Sequence, residues 1–158
     1  MTMINPVPEG IHTLTPHLTV LSSARASEWY TKVFGAVEEL RITMPGTDLV
    51  MHARLRIGDS HIMLNDEFPQ SGSTAPRPDE KASTVHAYVE DVDALYHRAI
   101  DAGATGVLAP MNTFWGDRYG KFTDPFGHHW SIASRIEDLS PNEIDRRARE
   151  HFGSAGQS

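Results

Sequence analysis

Nine histidines and no cysteine make imidazole the chief candidate for chemistry in this 158-residue chain. Four of the nine recur at matching places. Aligning LTPHLTV with STVHAYV sets Val20 against Val89 and His17 against His86, both steps of 69. Aligning GDSHIML with FGHHWSI sets Leu64 against Ile132 and His61 against His129, both steps of 68. Neutral imidazole offers a lone pair near pH 7, which makes it the commonest metal ligand and a frequent general base. Four imidazoles returned to equivalent places by an internal duplication imply a common point. The chemistry they predict is a metal site, and nitrogen ligands suit divalent Fe, Zn, Ni, Co or Cu better than Mg or Ca. Four neutral ligands leave the ion's charge uncompensated, so it would act as a strong Lewis acid.

The elements that must position these rings can be read from periodicity. Leu14–Val20 alternates, with Leu18 and Val20 on one face and Thr15, His17 and Thr19 on the other, which predicts a half-buried strand. Ser22-Ser23 caps a helix over 24–34 that stops at Gly35. Strands are predicted over 37–43, 48–57 and 60–65, with Pro45-Gly46 and Gly58-Asp59 as turns. The pattern then restarts, with a strand over 83–89, a helix from Asp91 to 102 ending at Gly103, and strands near 104–109, 116–124 and 128–134. The organisation predicted is an N-terminal extension (1–12), a first βαβββ module (13–66), a Pro-rich linker (67–82), a second module (83–135) and a C-terminal helix and tail (136–158). Ser140-Pro141-Asn142-Glu143 reads as a capping box that opens the last helix. Alternation turns Ile62, Leu64, Trp130 and Ile132 toward the helices, and His17, His61, His86 and His129 toward the opposite face.

Composition narrows the partners. A formal charge of −7 disfavours nucleic acid and anionic membranes, which select basic patches. The absence of cysteine excludes disulfides, thiolate ligands and cysteine nucleophiles. MTMINPVPEG has neither a cationic n-region nor an apolar h-region, and no apolar run approaches the ~20 residues of a membrane span, so a cytoplasmic protein is expected. No dinucleotide fingerprint, phosphate loop or hydrolase elbow is present.

Several strings carry a family likeness: LTPHLTV, WYTKVFGA, HARLRIGDSHIML, HAYVEDVDALYHRAIDAGA and above all FWGDRYGKFTDPFGHHW. Over residues 10–135 the chain resembles the vicinal oxygen chelate superfamily, and within it the PhnB-like, glyoxalase/bleomycin-resistance/dioxygenase-type proteins. The resemblance implies an α+β fold in which two βαβββ modules form a curved mixed sheet around an open cavity. It also implies a small-molecule substrate and a homodimer. Metal-dependent members place one ligand on the first and last strand of each module. Carried over, those places are Thr15, Met63, Thr84 and Ser131, which do not form an acceptable ligand set. His17 and His86 lie two residues after the usual places, and His61 and His129 two before. First and last strands of a module are expected to run in opposite directions, so all four shifts carry the imidazoles the same way, by ~6.6 Å. The site expected is therefore a metal held by His17, His61, His86 and His129.

The substrate pocket expected around it comprises Met63, Tyr88, Trp115, Arg118, Tyr119 and Ser131. In the loop Phe114–Tyr119, Trp115 would stack on a planar group and Arg118 would answer an anionic oxygen. The competing reading makes Trp115 and Tyr119 ordinary sheet packing and pairs Arg118 with Asp117. His128 is expected to be a structural hydrogen-bonder, and Trp29, Tyr30 and Phe34 to be core. The function these expectations describe is a metal-dependent oxygenase, lyase or isomerase acting on a substrate chelated through adjacent oxygens. Glyoxalase I is disfavoured, because Met63 and Ser131 stand where its chemistry needs a carboxylate. The alternative is a metal-free binding or sequestration protein of bleomycin-resistance type.

Overall fold

Alternation, two caps and a handful of turn glycines build the same unit twice. The computed structural model describes residues 3–80 and 82–153; Met1, Thr2, Lys81 and 154–158, parts of the predicted extension, linker and tail, lie outside them. Two compact units result: Met1–Ala82 with Phe126–His128, and Ser83–Pro125 with His129–Ser158.

The first unit contains β1 (His17–Val20), α1 (Ser23–Phe34), β2 (Val37–Thr43), β3 (Val50–Ile57) and β4 (Ser60–Asp66), in the sheet order β1-β4-β3-β2. The strand predicted from Leu14 starts only at His17, since Pro16 has no N–H to give a ladder and Leu14 is exposed. Ser22 caps α1 by accepting the Arg25 N–H (3.4 Å), and Gly35 closes it at φ 68°, a left-handed turn that suits glycine. The buried face of α1, Ala26, Trp29, Tyr30 and Val33, packs on the sheet face that carries Leu18, Val20, Ala53, Leu55, Ile62 and Leu64. Phe126 joins this core, its ring 6.3 Å from Trp29 and 6.2 Å from Tyr30.

The second unit repeats the plan with β5 (Thr84–Tyr88), α2 (Val92–Asp101), β6 (Thr105–Asn112), β7 (Asp117–Thr123) and β8 (His129–Arg135), in the order β5-β8-β7-β6. Asp91 caps α2 by accepting the Ala94 N–H at 3.0 Å. Leu95, Ala99, Phe122, Trp130 and Ile132 are its core, and the Trp130 indole N–H donates to Asp124 at 2.9 Å. A last helix, α3 (Pro141–Gly153), opens where Ser140 Oγ accepts the Glu143 N–H, as the capping box predicts. The segment read as a linker carries local order, a 3₁₀ turn at Pro69–Ser71 and a bridge between Phe68 and Ser73. No helix among the described residues is long and apolar enough to cross a membrane.

One expectation is overturned. The first and last strands of each half run parallel, with His17 opposite Met63 and His86 opposite Ser131. The reason is topological. The helix crossover returns the chain to its starting end, so β2 runs as β1 does, and the two hairpins that follow reverse it twice.

Buried Asp66 ties three elements of the first unit together. Its carboxylate accepts the Ser23 N–H at the start of α1 (2.6 Å) and the Val50 N–H at the start of β3 (2.8 Å). Replacing it by Ala strands two backbone donors, at a cost of roughly 2–4 kcal/mol. Asp66→Asn keeps one acceptor and turns an amide N–H on the other donor, so a smaller loss is expected. Urea unfolding of both variants checks this ordering.

Candidate functional site: the open sheet faces

The face of each sheet away from its helix is where side chains with chemistry collect, and cross-strand register says which ones meet. On the first sheet, this face carries His17 from β1, Met63 and His61 from β4, His52, Arg54 and Arg56 from β3, and Glu39 from the bulged part of β2. His61 is 9% exposed and its Nε2 donates to Glu39 Oε1 at 2.8 Å. The same carboxylate faces Arg54 Nε at 3.5 Å and Arg56 Nε at 3.7 Å. The opposite ring nitrogen of His61, Nδ1, is sealed from solvent without a hydrogen bond. His17 is exposed and stands edge-on to His52, with centroids 6.1 Å apart. Desolvation lowers the pKa of His52, and the neighbouring His17 and Arg54 lower it further.

On the second sheet, the open face is aromatic and hydroxylic. His86 Nδ1 meets Ser131 Oγ at 2.6 Å, and His129 Nδ1 meets Thr123 Oγ1 at 3.0 Å. The His86 ring sits edge-on to Tyr88 (4.8 Å) and nearly parallel to Tyr119 (6.1 Å, 20°). Trp115 closes the row, its ring 5.7 Å from Tyr119 and its indole N–H on Asp117 Oδ2 at 3.1 Å. Tyr88 reaches the same Asp117 oxygen at 3.5 Å. Gly116 fixes the loop: at φ 93°, a Cβ there would come within 2.9 Å of the Glu137 carbonyl. Partial burial lowers the His86 pKa, and the Asp117 carboxylate opposes that shift.

Each sheet brings together part of the expected set. Tyr88, Trp115, Tyr119 and Ser131 assemble around His86, while His17, His61 and Met63 belong to the other sheet. Arg118 does not face them. It alternates with Asp117 and Tyr119 along β7, so its guanidinium turns to the helix side and forks onto Asp93 of α2 at 2.6 and 2.8 Å. It pairs with neither a ligand site nor Asp117. His128 hydrogen-bonds through Nε2 to the Thr19 carbonyl at 2.9 Å, a structural contact in the first unit. Sequence reasoning missed Glu39, Arg54, Asp117, Lys121 and Thr123. Alternation alone places Arg54 and Lys121 on the open face, but their neighbours depend on strand pairing.

The residues present do not fit a resident transition metal. Among the described residues, no three His, Asp or Glu side chains gather as a metal ion requires. Within each half, the parallel pairing of first and last strands staggers the imidazoles. A shift of two residues forward on β1 and two back on β4 moves His17 and His61 in opposite directions, and the same holds for His86 and His129.

Two βαβββ halves, each a mixed sheet with one helix-covered and one open face, define a recognisable class. The chain belongs to the glyoxalase/bleomycin resistance protein/dioxygenase superfamily, whose family model matches residues 10–132. It is 44% identical over 135 residues to an uncharacterised protein of Mycobacterium bovis, covering 83% of this chain and 88% of that one. The crystal structure of TioX from a Micromonospora species matches at 26% identity and TM-score 0.60, over 78% of this chain and 98% of that one. A PhnB protein from Bacillus cereus matches at 14% identity and TM-score 0.61, over 78% of this chain and 99% of the other, a likeness of fold.

The electrostatics make a direct prediction. In an NMR titration, His86 protonates below the ordinary value of 6.5, and Asp117→Asn moves it lower still by removing the opposing charge. The sign for stability follows from linkage. Above pH 6.5 folded and unfolded chains both hold His86 neutral; below it the unfolded chain takes up the proton first, so stability falls as the pH drops from there.

Proposed function

We propose that this chain binds a small planar molecule on the open face of its second sheet, without a resident metal. The observation that carries the reading is the run of rings on that face, Tyr88, His86, Tyr119 and Trp115, each within 6.1 Å of the next. Tyr88 is 70% exposed and Trp115 is 37% exposed, so both ends of the run present ring surface to solvent. Offset and edge-on rings offer a flat surface for stacking. With Nδ1 of His86 on Ser131, its Nε2, which has no hydrogen bond among the described residues, supplies a polar contact at the centre.

The metal-dependent oxygenase, lyase or isomerase suggested by family likeness is the weaker reading for this chain. It needs His17, His61, His86 and His129 on one ion, whereas His61 is committed to Glu39 and its other nitrogen is sealed. Sequestration of a small molecule asks nothing of those rings beyond hydrogen bonding and stacking.

Trp115 is a built-in reporter, since Trp29 and Trp130 are buried. Adding 2-naphthamide, a neutral planar probe, should shift the Trp115 indole N–H resonance and leave the other two in place. Trp115→Ala should weaken that binding roughly threefold to tenfold, the range of one aromatic contact. Elemental analysis of the purified protein should find no stoichiometric transition metal. One metal per chain, lost on His17→Ala or His86→Ala, would sink the proposal in favour of the metal enzyme.

A further inference from the structure

Register lines up a corresponding row of four side chains across each open face. In the first half, Leu40, Arg54, Met63 and His17 are successive Cα partners across β2, β3, β4 and β1. In the second half the row is Leu108, Lys121, Ser131 and His86, across β6, β7, β8 and β5. Each row reads leucine, cation, uncharged residue, imidazole. The cation and the imidazole stand two strands apart, ~10 Å between backbones. A long cationic side chain and an imidazole can close that span on one group of anionic oxygens.

Both cations have unspent capacity. Glu39 is shared by Arg54, Arg56 and His61, so two guanidinium groups meet one carboxylate and a fixed positive charge is left over. The contact from Arg54 to Glu39 is through Nε, and its terminal nitrogens make no hydrogen bond among the described residues. Lys121 has no hydrogen bond or ion pair among the described residues, and the nearest carboxylate along its strand, Asp117, is held by Trp115 and Tyr88. Neither ring nitrogen of His17 is hydrogen-bonded among the described residues, and Nε2 of His86 is likewise open. On the second face Asp117 offsets the charge of Lys121, whereas on the first the surplus positive charge is out of character for a chain of net charge −7. Such a surplus is retained most simply when an anion neutralises it.

We propose that each open face binds one anionic oxygen group, a carboxylate or phosphate, between the cation and the imidazole of its row: Arg54 with His17, and Lys121 with His86. For the second half this rests on the binding face proposed above and names its ligand class; for the first half it stands apart from that reading. Leu40 and Leu108 at the row ends supply apolar contact for the body of the ligand.

The test compares 2-naphthoate with 2-naphthamide by NMR, following the His17 and His86 ring resonances. The naphthoate should bind about tenfold tighter at each row, the scale of one charge-assisted hydrogen bond. Arg54→Gln should abolish that preference at His17 only, and Lys121→Gln at His86 only, while Arg54→Lys retains it. Inorganic phosphate should displace the naphthoate if the rows accept any oxyanion; failure to displace would assign them to carboxylates. Equal affinity for the acid and the amide overturns the anion inference and leaves the planar-ligand face intact. Preference that survives both glutamine variants overturns it as well. Binding of neither probe removes the planar-ligand face too.

Discussion

The parallel pairing of first and last strands in each half is the constraint on which the site geometry depends. A helix of 12 residues carries the chain back to the end of the sheet where it began, and two hairpins then lay β4 alongside β1 in the same direction. Once that is fixed, register follows: His17 must face Met63, and His86 must face Ser131. Imidazoles displaced in opposite senses along parallel strands separate by a pleat in each direction. The duplication that brings four histidines to equivalent places therefore keeps each pair staggered. Equivalence in sequence is a statement about backbone position, and convergence is a statement about direction as well.

The two halves use one backbone plan for different physics. At the end of the last strand, Asp66 holds the starts of α1 and β3 through backbone N–H groups, whereas its counterpart Ser134 donates its hydroxyl to the Val89 carbonyl at 2.6 Å. Both close the same corner, one as a charged acceptor and the other as a neutral donor. The open faces diverge in the same manner. Glu39, Arg54, Arg56 and His61 make a charged cluster on one; Tyr88, Tyr119, Trp115 and two hydroxyls make an aromatic surface on the other. A charged cluster organises water and ions, and an aromatic surface sheds water.

Much of the architecture was legible because each signal was local. Ser22, Asp91 and Ser140 announce helix starts by side-chain capping, Gly35 announces a stop, and alternation from Ile62 to Leu64 and from Trp130 to Ile132 separates the two faces of a strand. The rings around His86 were also legible, since Tyr88, Tyr119 and Ser131 share its face by alternation. What failed was non-local. Nothing within the chain segment around Arg118 says that Asp93, 25 residues away, will take its guanidinium. Glu39 meets His61 across the intervening strand β3, a neighbour that depends on strand pairing and that periodicity within one strand does not report.

The partners of matching imidazoles decide what each can still do. A carboxylate only accepts, so Glu39 holds an N–H on Nε2 of His61, while the opposite nitrogen, Nδ1, is sealed from solvent without a hydrogen bond. That ring is held in one orientation, with neither nitrogen turned to solvent. A hydroxyl both donates and accepts, so Ser131 can satisfy Nδ1 of His86 in either tautomer, and Nε2 can offer a proton or a lone pair as the ligand demands. His17, whose ring stands edge-on to His52, has neither ring nitrogen in a hydrogen bond among the described residues. The duplication thus ends in a division, with His61 held by Glu39 across the first sheet and with both ring nitrogens of His17 and Nε2 of His86 without a hydrogen bond among the described residues.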